Sequence, residues 1–550
     1  MVVVAATPTS GAVSDLNEDE VGTRGPSDTT PSLPVHGRSF NKLDDAYEHC
    51  GSGQLLPYTR TSLAWTIAAP LTLLSVYLTY SGGSQLHGSA AAEQDKHIRQ
   101  GFSATTEFGL YGAREGLKTA IEMSFWVGFI LSTNPYGYAC DVYGRLPVLV
   151  ASVTVSSGFI LLSATARSVY ALIALTALSG ASCSGIGISA FVLGVESVGP
   201  KWRGAAGIGQ QVFWSVGVLT GATLAWIVQP VYGWRAYCAA ISAPGFAFAL
   251  LAASACAESP RWLVMNGRRA KAEQILTSMA WWNARWRGHA AAPVRLAEDA
   301  GGAGSGSARG AGGEVESLRS ALRSATLRRL LALNAYLWFA TSATYYGLNY
   351  NLGEIQGSFY LNNIIFGAVE LAGVVFAMCT VDILGRKGVL LLCLSVAGVC
   401  CLTSGVVEWR GLQRIAVILG KAGISAVFAL IFLYSGEQIP TSCRSQFIAI
   451  FSTFARCGSL LAPIIASLAR VSNYLPFIVF GSLGGLACIS SSFMPETMGR
   501  RLAETVDEVD DTFGVSSTAG SSSSSVSNSK GDSHRSNDDD AAPLLRSTPS

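Results

Sequence analysis

The nine residues 137–145, which read GYACDVYGR, lie between two long apolar stretches of the chain. They carry an acid at Asp141, a glycine at Gly144 and an arginine at Arg145. The same residue types at the same spacing return 241 residues later (382 − 141), again between apolar stretches. The second set is Asp382, Gly385 and Arg386. A charged turn between two apolar segments is therefore repeated within one chain.

A second charged motif has the same offset. Residues 196–203 read ESVGPKWR and residues 437–444 read EQIPTSCR, and 437 − 196 is again 241. A third motif repeats less strictly, as ESPR at 258–261 and PETMGR at 495–500. The charged residues of these motifs are Glu196, Arg203, Glu258, Arg261, Glu437, Arg444, Glu496 and Arg500. Several motifs in matching order predict two copies of one unit, which is a known architecture of membrane transporters.

The composition is that of a membrane protein. Charged residues make up 13% of the 550 residues and hydrophobic residues 49%, whereas soluble domains carry about 25% charged residues. The net charge of +2 argues against a nucleic-acid partner. The chain contains no phosphate-binding loop GxxxxGK[ST], no HExxH and no GxSxG. We therefore expect a membrane protein that is not an enzyme and uses neither a cofactor nor a metal.

Twelve apolar stretches are long enough to cross a bilayer, which takes about 20 helical residues. We name them spans 1 to 12 in chain order. Their predicted ranges are 61–81, 119–139, 146–166, 169–193, 205–229, 236–256, 329–349, 358–380, 388–406, 412–435, 445–468 and 474–494. The predicted fold class is an all-α membrane protein with twelve transmembrane helices in two six-helix repeats. We expect it to act as a monomer.

The spans divide the chain into five regions. These are a disordered cytoplasmic N-terminal tail at 1–60, a first six-helix bundle at 61–257, a cytoplasmic central loop at 258–328, a second six-helix bundle at 329–495 and a cytoplasmic C-terminal tail at 496–550. The tails are polar and rich in serine and acidic residues, which is typical of disorder. The start of the central loop, 258–290, has the pattern of an amphipathic helix.

Basic residues near the helix ends predict the orientation. The connections that hold Arg145, Lys201 and Arg386 are richer in Lys and Arg than most connections at the opposite ends. The central loop, 258–329, contains twelve Lys and Arg against six Asp and Glu. We therefore expect both termini in the cytoplasm. Separately, we expect residence in the plasma membrane.

The C-terminal tail contains a candidate sorting signal. Asp540, Leu544 and Leu545 have the spacing of an acidic dileucine motif, and this pattern resembles the signals that clathrin adaptors read. We expect a clathrin adaptor as a partner, with endosomal or lysosomal cycling of the protein.

Four charged residues fall inside predicted spans: Glu122 in span 2, Glu370 in span 8, Lys421 in span 10 and Arg456 in span 11. A charge inside a bilayer is costly unless it faces a cavity or a partner, so each is a functional candidate. Glu370 and Lys421 either contact the solute or pair with each other. Arg456 is either a ligand for carboxylates or an interhelical brace, and Glu122 is either a coupling residue or a buried acid with local partners.

The repeated motifs are candidate gating residues. An acid at a helix end and arginines at the rim can hold one helix bundle to the other. We expect this latch to close the cytoplasmic side in one state of a transport cycle and to break in the other.

Several further segments resemble one transporter family. They are ESVGPKWRG at 196–204, ESPRWL at 258–263, YYGLNYN at 345–351, the run 419–444 and ARCGSLLAPI at 455–464. Together with the two Asp–Gly–Arg turns, they are similar to the major facilitator superfamily and, within it, to the organic cation/anion/carnitine transporter family. The resemblance covers roughly 60–510 and implies the major facilitator fold, a central cavity and alternating access. Unlike the animal members, this chain has no cysteine and no N-x-S/T site in the loop after span 1.

The resemblance also implies roles for residues of the site. Cation carriers of the family tend to have an acid at the position that matches Arg456, and anion and carnitine carriers tend to have an arginine. A solute carboxylate would then bind Arg456 while an ammonium faces Glu370, with Lys421 beside it. Tyr345, Tyr346 and Asn362 are the expected aromatic and polar contacts.

The expected substrate is a small organic ion. We rank a zwitterion such as carnitine or a betaine first, an organic anion second and an organic cation third. Two alternatives stay open at this point: a sugar or drug/proton carrier of the same superfamily, and a non-transporting sensor or vesicle protein.

Overall fold

The protein is described by a computed structural model that covers residues 38–40, 43–80, 103–287, 293–297, 321–355, 358–440, 442–500, 503 and 505–513. The helices that correspond to the twelve spans are, in order, Leu55–Thr72 with Leu74–Leu78, Glu115–Tyr143, Arg145–Ser163, Val169–Glu196, the two parts of Arg203–Ala255, Ala325–Tyr350, Phe359–Leu384, Arg386–Val406, Arg410–Gln438, Arg444–Ser467 and Leu475–Ser492. Spans 1–6 form the first half of the molecule and spans 7–12 the second half.

Spans 5 and 6 are joined without a loop. The helix Arg203–Ala255 is interrupted at Gly233, whose φ of 77° and ψ of 179° are not helical. Glycine adopts a positive φ at little cost because it has no Cβ. The break falls between the two spans that the sequence predicts, 205–229 and 236–256.

The twelve-helix architecture predicted from the sequence is confirmed. Nine helical stretches of the described chain are long and apolar enough to cross a membrane, and one of them, Pro200–Ala255, contains both span 5 and span 6. Spans 2 and 7 fall below that apolar limit and complete the set of twelve.

Small residues allow the helices within the first half to approach closely. A Cβ at Gly128 of span 2 would lie 1.9 Å from the carbonyl oxygen of Ala177, and a Cβ at Gly180 of span 4 would lie 2.0 Å from that of Phe125. Spans 2 and 4 therefore pack backbone to backbone, as membrane helices with small residues at their interface do. Between the halves, span 2 packs on span 11 and span 5 on span 8.

A small module covers one end of the first half. It contains the strands Arg38–Phe40 and Val294–Leu296, which pair in parallel, and the helices Leu43–Cys50, Pro260–Met265 and Arg269–Arg287. Its core includes Tyr47, Cys50, Leu276 and Met279. We call it the N-terminal module.

The N-terminal module corrects the predicted disorder for the described part of residues 1–60, which is 38–40 and 43–60. Residues 43–60 are helical, and span 1 begins at Leu55 rather than at 61. The polar composition of this segment does not show that residues 260–296, far away in sequence, supply its apolar partners.

Candidate functional site

The repeated charged motifs form two clusters at one end of the bundle, which we call the motif end. In the first cluster, Nη2 of Arg145 lies 3.4 Å from Oδ1 of Asp141, and its Nε lies 3.4 Å from Oε2 of Glu196. Glu258 accepts hydrogen bonds from the backbone N–H groups of Arg145 and Leu146, both at 3.1 Å. The cluster thus closes the turn between spans 2 and 3 onto the ends of spans 4 and 6.

The second cluster has the same plan. Nη1 of Arg386 lies 2.8 Å from Oδ1 of Asp382, and its Nε lies 3.4 Å from Oε2 of Glu437. Glu496 accepts from the backbone N–H groups of Arg386 at 3.1 Å and Lys387 at 3.0 Å. Each of these contacts has its counterpart in the first cluster, so the two motifs that share an offset in sequence also share their geometry.

The glycine of each motif is needed for this geometry. Gly144 has a φ of 104° and Gly385 a φ of 79°, a region that other residues rarely adopt. A Cβ would lie 2.4 Å from Oε2 of Glu258 at Gly144 and 2.7 Å from Oε2 of Glu496 at Gly385. The missing side chain therefore lets the carboxylate reach the first amides of the next helix.

The described part of the chain contains no ion pair between the halves at the motif end, where the latch is expected. Among the described residues, the ion pairs of Asp141, Glu196, Asp382 and Glu437 stay within their own half. The side chains of Asp141 and Asp382 are 75% and 76% exposed. The clusters act here as braces within each half, and the two acids are largely exposed.

The arginines at the ends of the second motif differ between the halves. Arg203 pairs with Asp44 of the N-terminal module at 3.0 Å, and Arg261 pairs with the same oxygen at 2.9 Å. Arg444 instead donates to the backbone carbonyl of Ile439, through Nε at 3.2 Å and Nη2 at 3.1 Å. Arg500, of the third motif, lies over the ring of Phe513.

The two matching glutamates Glu258 and Glu496 have opposite shifts of pKa. Burial raises the pKa of Glu258, although Ser259, Leu146 and Arg145 donate backbone hydrogen bonds to it. Glu496 is less buried, so burial raises its pKa less than the backbone donors, among them Met498 and Thr497, lower it. Its pKa falls below the ordinary value.

The buried charges of the second half meet at the interface between the halves. Nζ of Lys421 lies 3.0 Å from Oε2 of Glu370, with both side chains buried. The Tyr345 hydroxyl donates to the same oxygen at 2.8 Å, and Ser215 of the first half donates to Oε1 at 3.2 Å. Of the two readings left open by the sequence, the buried ion pair is therefore the one that the structure shows.

The ring of Tyr345 adds to this site. Lys421 Nζ lies 3.4 Å from the centroid of that ring, and the Tyr345 hydroxyl accepts from the indole N–H of Trp214 at 2.8 Å. Because Trp214 and Ser215 belong to span 5, the ion pair is anchored to both halves.

Arg456 is in a different environment. The Cζ atom of its guanidinium lies 4.3 Å from the ring centroid of Phe129, in span 2 of the other half. The Tyr346 hydroxyl is a hydrogen-bonding neighbour, while Nε is buried without a hydrogen-bond partner. No carboxylate within 4.0 Å pairs with it among the described residues. A guanidinium stays protonated in proteins, so the interface contains a cation whose Nε donor has no partner among the described residues.

The remaining predicted contacts are spread along the same interface. The ring centroid of Tyr346 lies 4.4 Å from that of Trp126, whose indole N–H donates to the Tyr350 hydroxyl at 3.1 Å. Asn362 lies two turns before Glu370 on span 8 and donates to the backbone carbonyl of Ile355 at 3.4 Å. Asn362 therefore supports the backbone near the end of span 8, away from the charged residues of the site.

Glu122 lies near the other end of the interface. Its side chain is 5% exposed, and Oε1 accepts a hydrogen bond from Oγ1 of Thr79, in the first half, at 2.5 Å. In contrast to Glu370, Glu122 has no cation within 4.0 Å in the described part of the chain.

Contacts between the halves also close the end opposite the motifs, which we call the far end. Nε of Arg470 lies 3.0 Å from Oε1 of Glu115. The rings of Tyr80 and Phe359 stack with centroids 3.9 Å apart. The candidate sorting residues Asp540, Leu544 and Leu545 lie outside the described residues.

Comparison with known proteins agrees with this geometry. The model of the family described as "Sugar (and other) transporter" matches residues 68–508. Among solved structures, the inward-open conformation of the xylose transporter XylE from E. coli matches with a TM-score of 0.59 at 16% identity, over 83% of this chain and 99% of that one. The chain therefore belongs to the major facilitator superfamily of transporters.

Relatives at higher identity narrow the class. The organic cation transporter protein of Drosophila melanogaster is 30% identical over 412 residues, which are 74% of each chain. Solute carrier family 22 member 6 of Bos taurus is 30% identical over 439 residues, 78% of each chain. Organic cation/carnitine transporter 4 of Arabidopsis thaliana is 27% identical over 472 residues, 83% of this chain and 88% of the relative. Within the superfamily, this chain is a member of the organic cation/anion/carnitine transporter family.

Proposed function

We propose that this protein carries small organic ions with a carboxylate group across the membrane, by alternating access of the site between its two halves. The observation that carries the proposal is Arg456, a permanent cation at the interface between the halves with a buried Nε that no described group satisfies. A carboxylate offers the two oxygens that a guanidinium binds best. The family of transporters to which the chain belongs supports an organic ion as the solute.

The surroundings of Glu370 change the order expected from the sequence. Both of its oxygens already accept hydrogen bonds, and Lys421 balances its charge. A solute ammonium would therefore meet the aromatic rings near Arg456, such as Tyr346 and Trp126, rather than Glu370. Cation–π contacts of this kind contribute about 0.5–2 kcal/mol each. We place organic anions and zwitterions with a carboxylate together ahead of plain organic cations.

The repeated motifs fit a transport cycle in which each half moves as a unit. The braces around Arg145 and Arg386 hold the ends of spans within their own half. The exposed Asp141 and Asp382 are positioned to contact the opposite half when the motif end closes. We assign the motif end to the cytoplasm because of its basic residues, which places both termini inside the cell.

Uptake into proteoliposomes tests the solute class. The panel contains an aromatic monocarboxylate, a betaine, a tetraalkylammonium ion and a sugar. Arg456→Ala should lower uptake of the two carboxylates by roughly tenfold or more, because hydrogen bonds to charged groups contribute about 1.5–3 kcal/mol. Arg456→Lys keeps the charge but loses the paired donors of the guanidinium. Its uptake of the two carboxylates should lie between that of the wild type and that of Arg456→Ala.

Three results would contradict the proposal. A wild type that prefers the tetraalkylammonium ion is a cation carrier, and one that carries the sugar belongs to the alternative class. A variant that loses every solute equally shows that Arg456 is a brace between helices. Absence of any uptake by correctly folded protein favours a sensor or vesicle protein.

The cellular location of the protein is a separate part of the proposal. We place it at the plasma membrane, with cycling directed by a clathrin adaptor that binds Asp540, Leu544 and Leu545. The double variant Leu544→Ala, Leu545→Ala should accumulate at the cell surface, as measured by surface biotinylation. An unchanged distribution would show that the signal is not used.

A further inference from the structure

We infer that Glu122 is a proton-binding site that couples solute transport to a proton gradient. The inference deepens the proposed function, on which it rests, by naming the ion that is carried with the solute. The argument starts from the contrast between the two buried acids at the interface. Glu370 is paired with Lys421 at 3.0 Å, whereas Glu122 accepts a hydrogen bond from the neutral hydroxyl of Thr79.

The geometry at Thr79 satisfies Glu122 in both of its protonation states. Oγ1 of Thr79 lies 2.5 Å from Oε1 of Glu122 and 2.8 Å from the backbone oxygen of Ser75. A hydroxyl has one proton to donate and two lone pairs to accept with. When Glu122 is ionised, Thr79 donates to the carboxylate. When Glu122 is protonated, its own O–H donates to Thr79, and Thr79 turns to donate to Ser75.

A chain of contacts joins this site to Arg456. Ser75, one turn before Thr79, has its hydroxyl 3.4 Å from that of Tyr350. Tyr350 accepts from Trp126 at 3.1 Å, and the Trp126 ring packs against Tyr346, the neighbour of Arg456. Trp126 also lies one helical turn after Glu122 on span 2. A change of hydrogen bonding at Glu122 therefore has a path to Arg456 through these side chains.

The same site adjoins the contacts that close the far end. Glu115, two turns before Glu122 on span 2, pairs with Arg470 of the second half at 3.0 Å. The charged groups that act on Glu122 from the described chain are Lys118 on span 2 and Arg470, and the titratable phenol beside it is Tyr350. Protonation of Glu122 removes a negative charge that attracts Arg470, and so weakens the closure of the far end.

Charge balance favours this coupling. A carboxylate that binds Arg456 brings one negative charge into the interface, and a proton on Glu122 brings one positive charge. The loaded carrier then moves without net transfer of charge. The proton binds from the far end, travels on the Glu122 carboxyl, and is released when the site opens at the motif end.

The test uses the full-length protein in proteoliposomes with the membrane potential clamped at zero. An aromatic monocarboxylate is the probe, and its accumulation is measured with and without a pH gradient. For one proton per solute, a gradient of one pH unit supports accumulation of up to about tenfold. Glu122→Gln and Thr79→Val should lose this response while still exchanging internal for external solute.

Glu107→Gln is the matched control. It removes an acid at the far end of the first half whose partners, Arg235 and Trp234, belong to the same half, and the ratio of uptake with and without the gradient should stay as in the wild type. A wild type that ignores the pH gradient, or responds instead to a sodium gradient, overturns the inference. A retained response in Glu122→Gln does so as well.

A second measurement does not depend on transport. Infrared difference spectra of the membrane-embedded protein, recorded between acidic and neutral pH, should contain the band of a protonated carboxyl that disappears in Glu122→Gln. If this band is absent or survives the substitution, Glu122 does not bind the proton. If the band behaves as expected but the carboxylate probe is not transported, the proposed solute is wrong and the proton site stands.

Discussion

The two halves of the molecule repeat one charged cluster almost contact for contact and differ in what covers it. Arg145 and Arg386 each lie 3.4 Å from the equivalent glutamate of their own half. Glu258 and Glu496 accept hydrogen bonds from the equivalent backbone N–H groups. The first cluster lies under the N-terminal module, through which Asp44 reaches Arg203 and Arg261. The second is more open. The greater burial of Glu258 raises its pKa, whereas backbone hydrogen bonds lower the pKa of the less buried Glu496.

The interface between the halves shows the opposite relation. Its charged residues are not repeated: among the described residues, the second half supplies a closed ion pair and a cation without an acidic partner within 4.0 Å, and the first half supplies an acid without a cation within that distance. The duplicated clusters thus brace each half, and the charges on which our proposals rest lie in the parts unique to one half.

Breaking the ion pair should have the largest effect. Lys421→Met leaves Glu370 buried without a counter-charge, and loss of one partner of a buried pair costs about 3–5 kcal/mol. The double variant Lys421→Met, Glu370→Leu should recover most of the thermal stability, measured as the Tm in detergent. Glu122→Gln, which removes the unpaired acid of the first half, should change Tm little. An equal loss of Tm in all three variants would mean that Glu370 and Glu122 contribute to stability in the same way.

The second largest effect on stability should come from substitution of the two motif glycines. Gly144→Ala and Gly385→Ala both force a side chain into a positive φ, at about 1–3 kcal/mol, and both push on a carboxylate. We expect the larger loss of Tm at Gly144, where the Cβ would lie closer to the glutamate and the cluster is more buried. The reverse order would show that the N-terminal module does not stiffen its cluster.

The stability contributed by Glu258 and by Glu496 should depend on pH in opposite directions. The pKa of Glu258 is raised above 4.5, so the stability it contributes is present below that value and is lost as the pH rises through the folded pKa. The pKa of Glu496 is lowered, so its contribution is present above 4.5 and is lost as the pH falls through the folded pKa.

Curves of Tm against pH for Glu258→Gln and Glu496→Gln test this contrast. The first variant should flatten the curve above pH 4.5 and the second should flatten it below. Two curves of the same shape would contradict the difference in burial.

The smallest effect on stability should come from Asp141→Asn and Asp382→Asn. Both side chains are about three-quarters exposed, and exposed substitutions usually change stability by less than about 0.5 kcal/mol. We still expect slower solute exchange in both, because the acids are free to meet the other half when the motif end closes. Unchanged exchange rates would restrict these acids to a role within their own half.

The sequence predicted the spans, the repeat and the charged residues of both clusters because charged residues at fixed spacings are conspicuous in apolar helices. It predicted that these residues latch the two halves together, whereas among the described residues their ion pairs stay within each half. It also predicted Glu370, Lys421 and Arg456, but not which of them pair. Ser215 and Thr79 were missed, since a small hydroxyl residue in an apolar helix carries no signal until its partner is known. Asp44 was missed because its segment is polar, and its order depends on residues that lie more than 200 positions further along the chain.

The attachment of the N-terminal module has a consequence for how the protein can be built. The N-terminal module is fastened to the first half by Asp44 and by Tyr47, which donates to the backbone oxygen of Glu196 at 2.6 Å. Gln54, just after the module's first helix, accepts from the backbone N–H of Gly199. Among the described residues, those of the first half and its module end at 297 and those of the second half begin at 321. Two separately expressed polypeptides, 1–297 and 321–550, should therefore assemble in the bilayer into a split carrier, held together by the side-chain contacts between the halves, such as those of span 2 with span 11 and of span 5 with span 8.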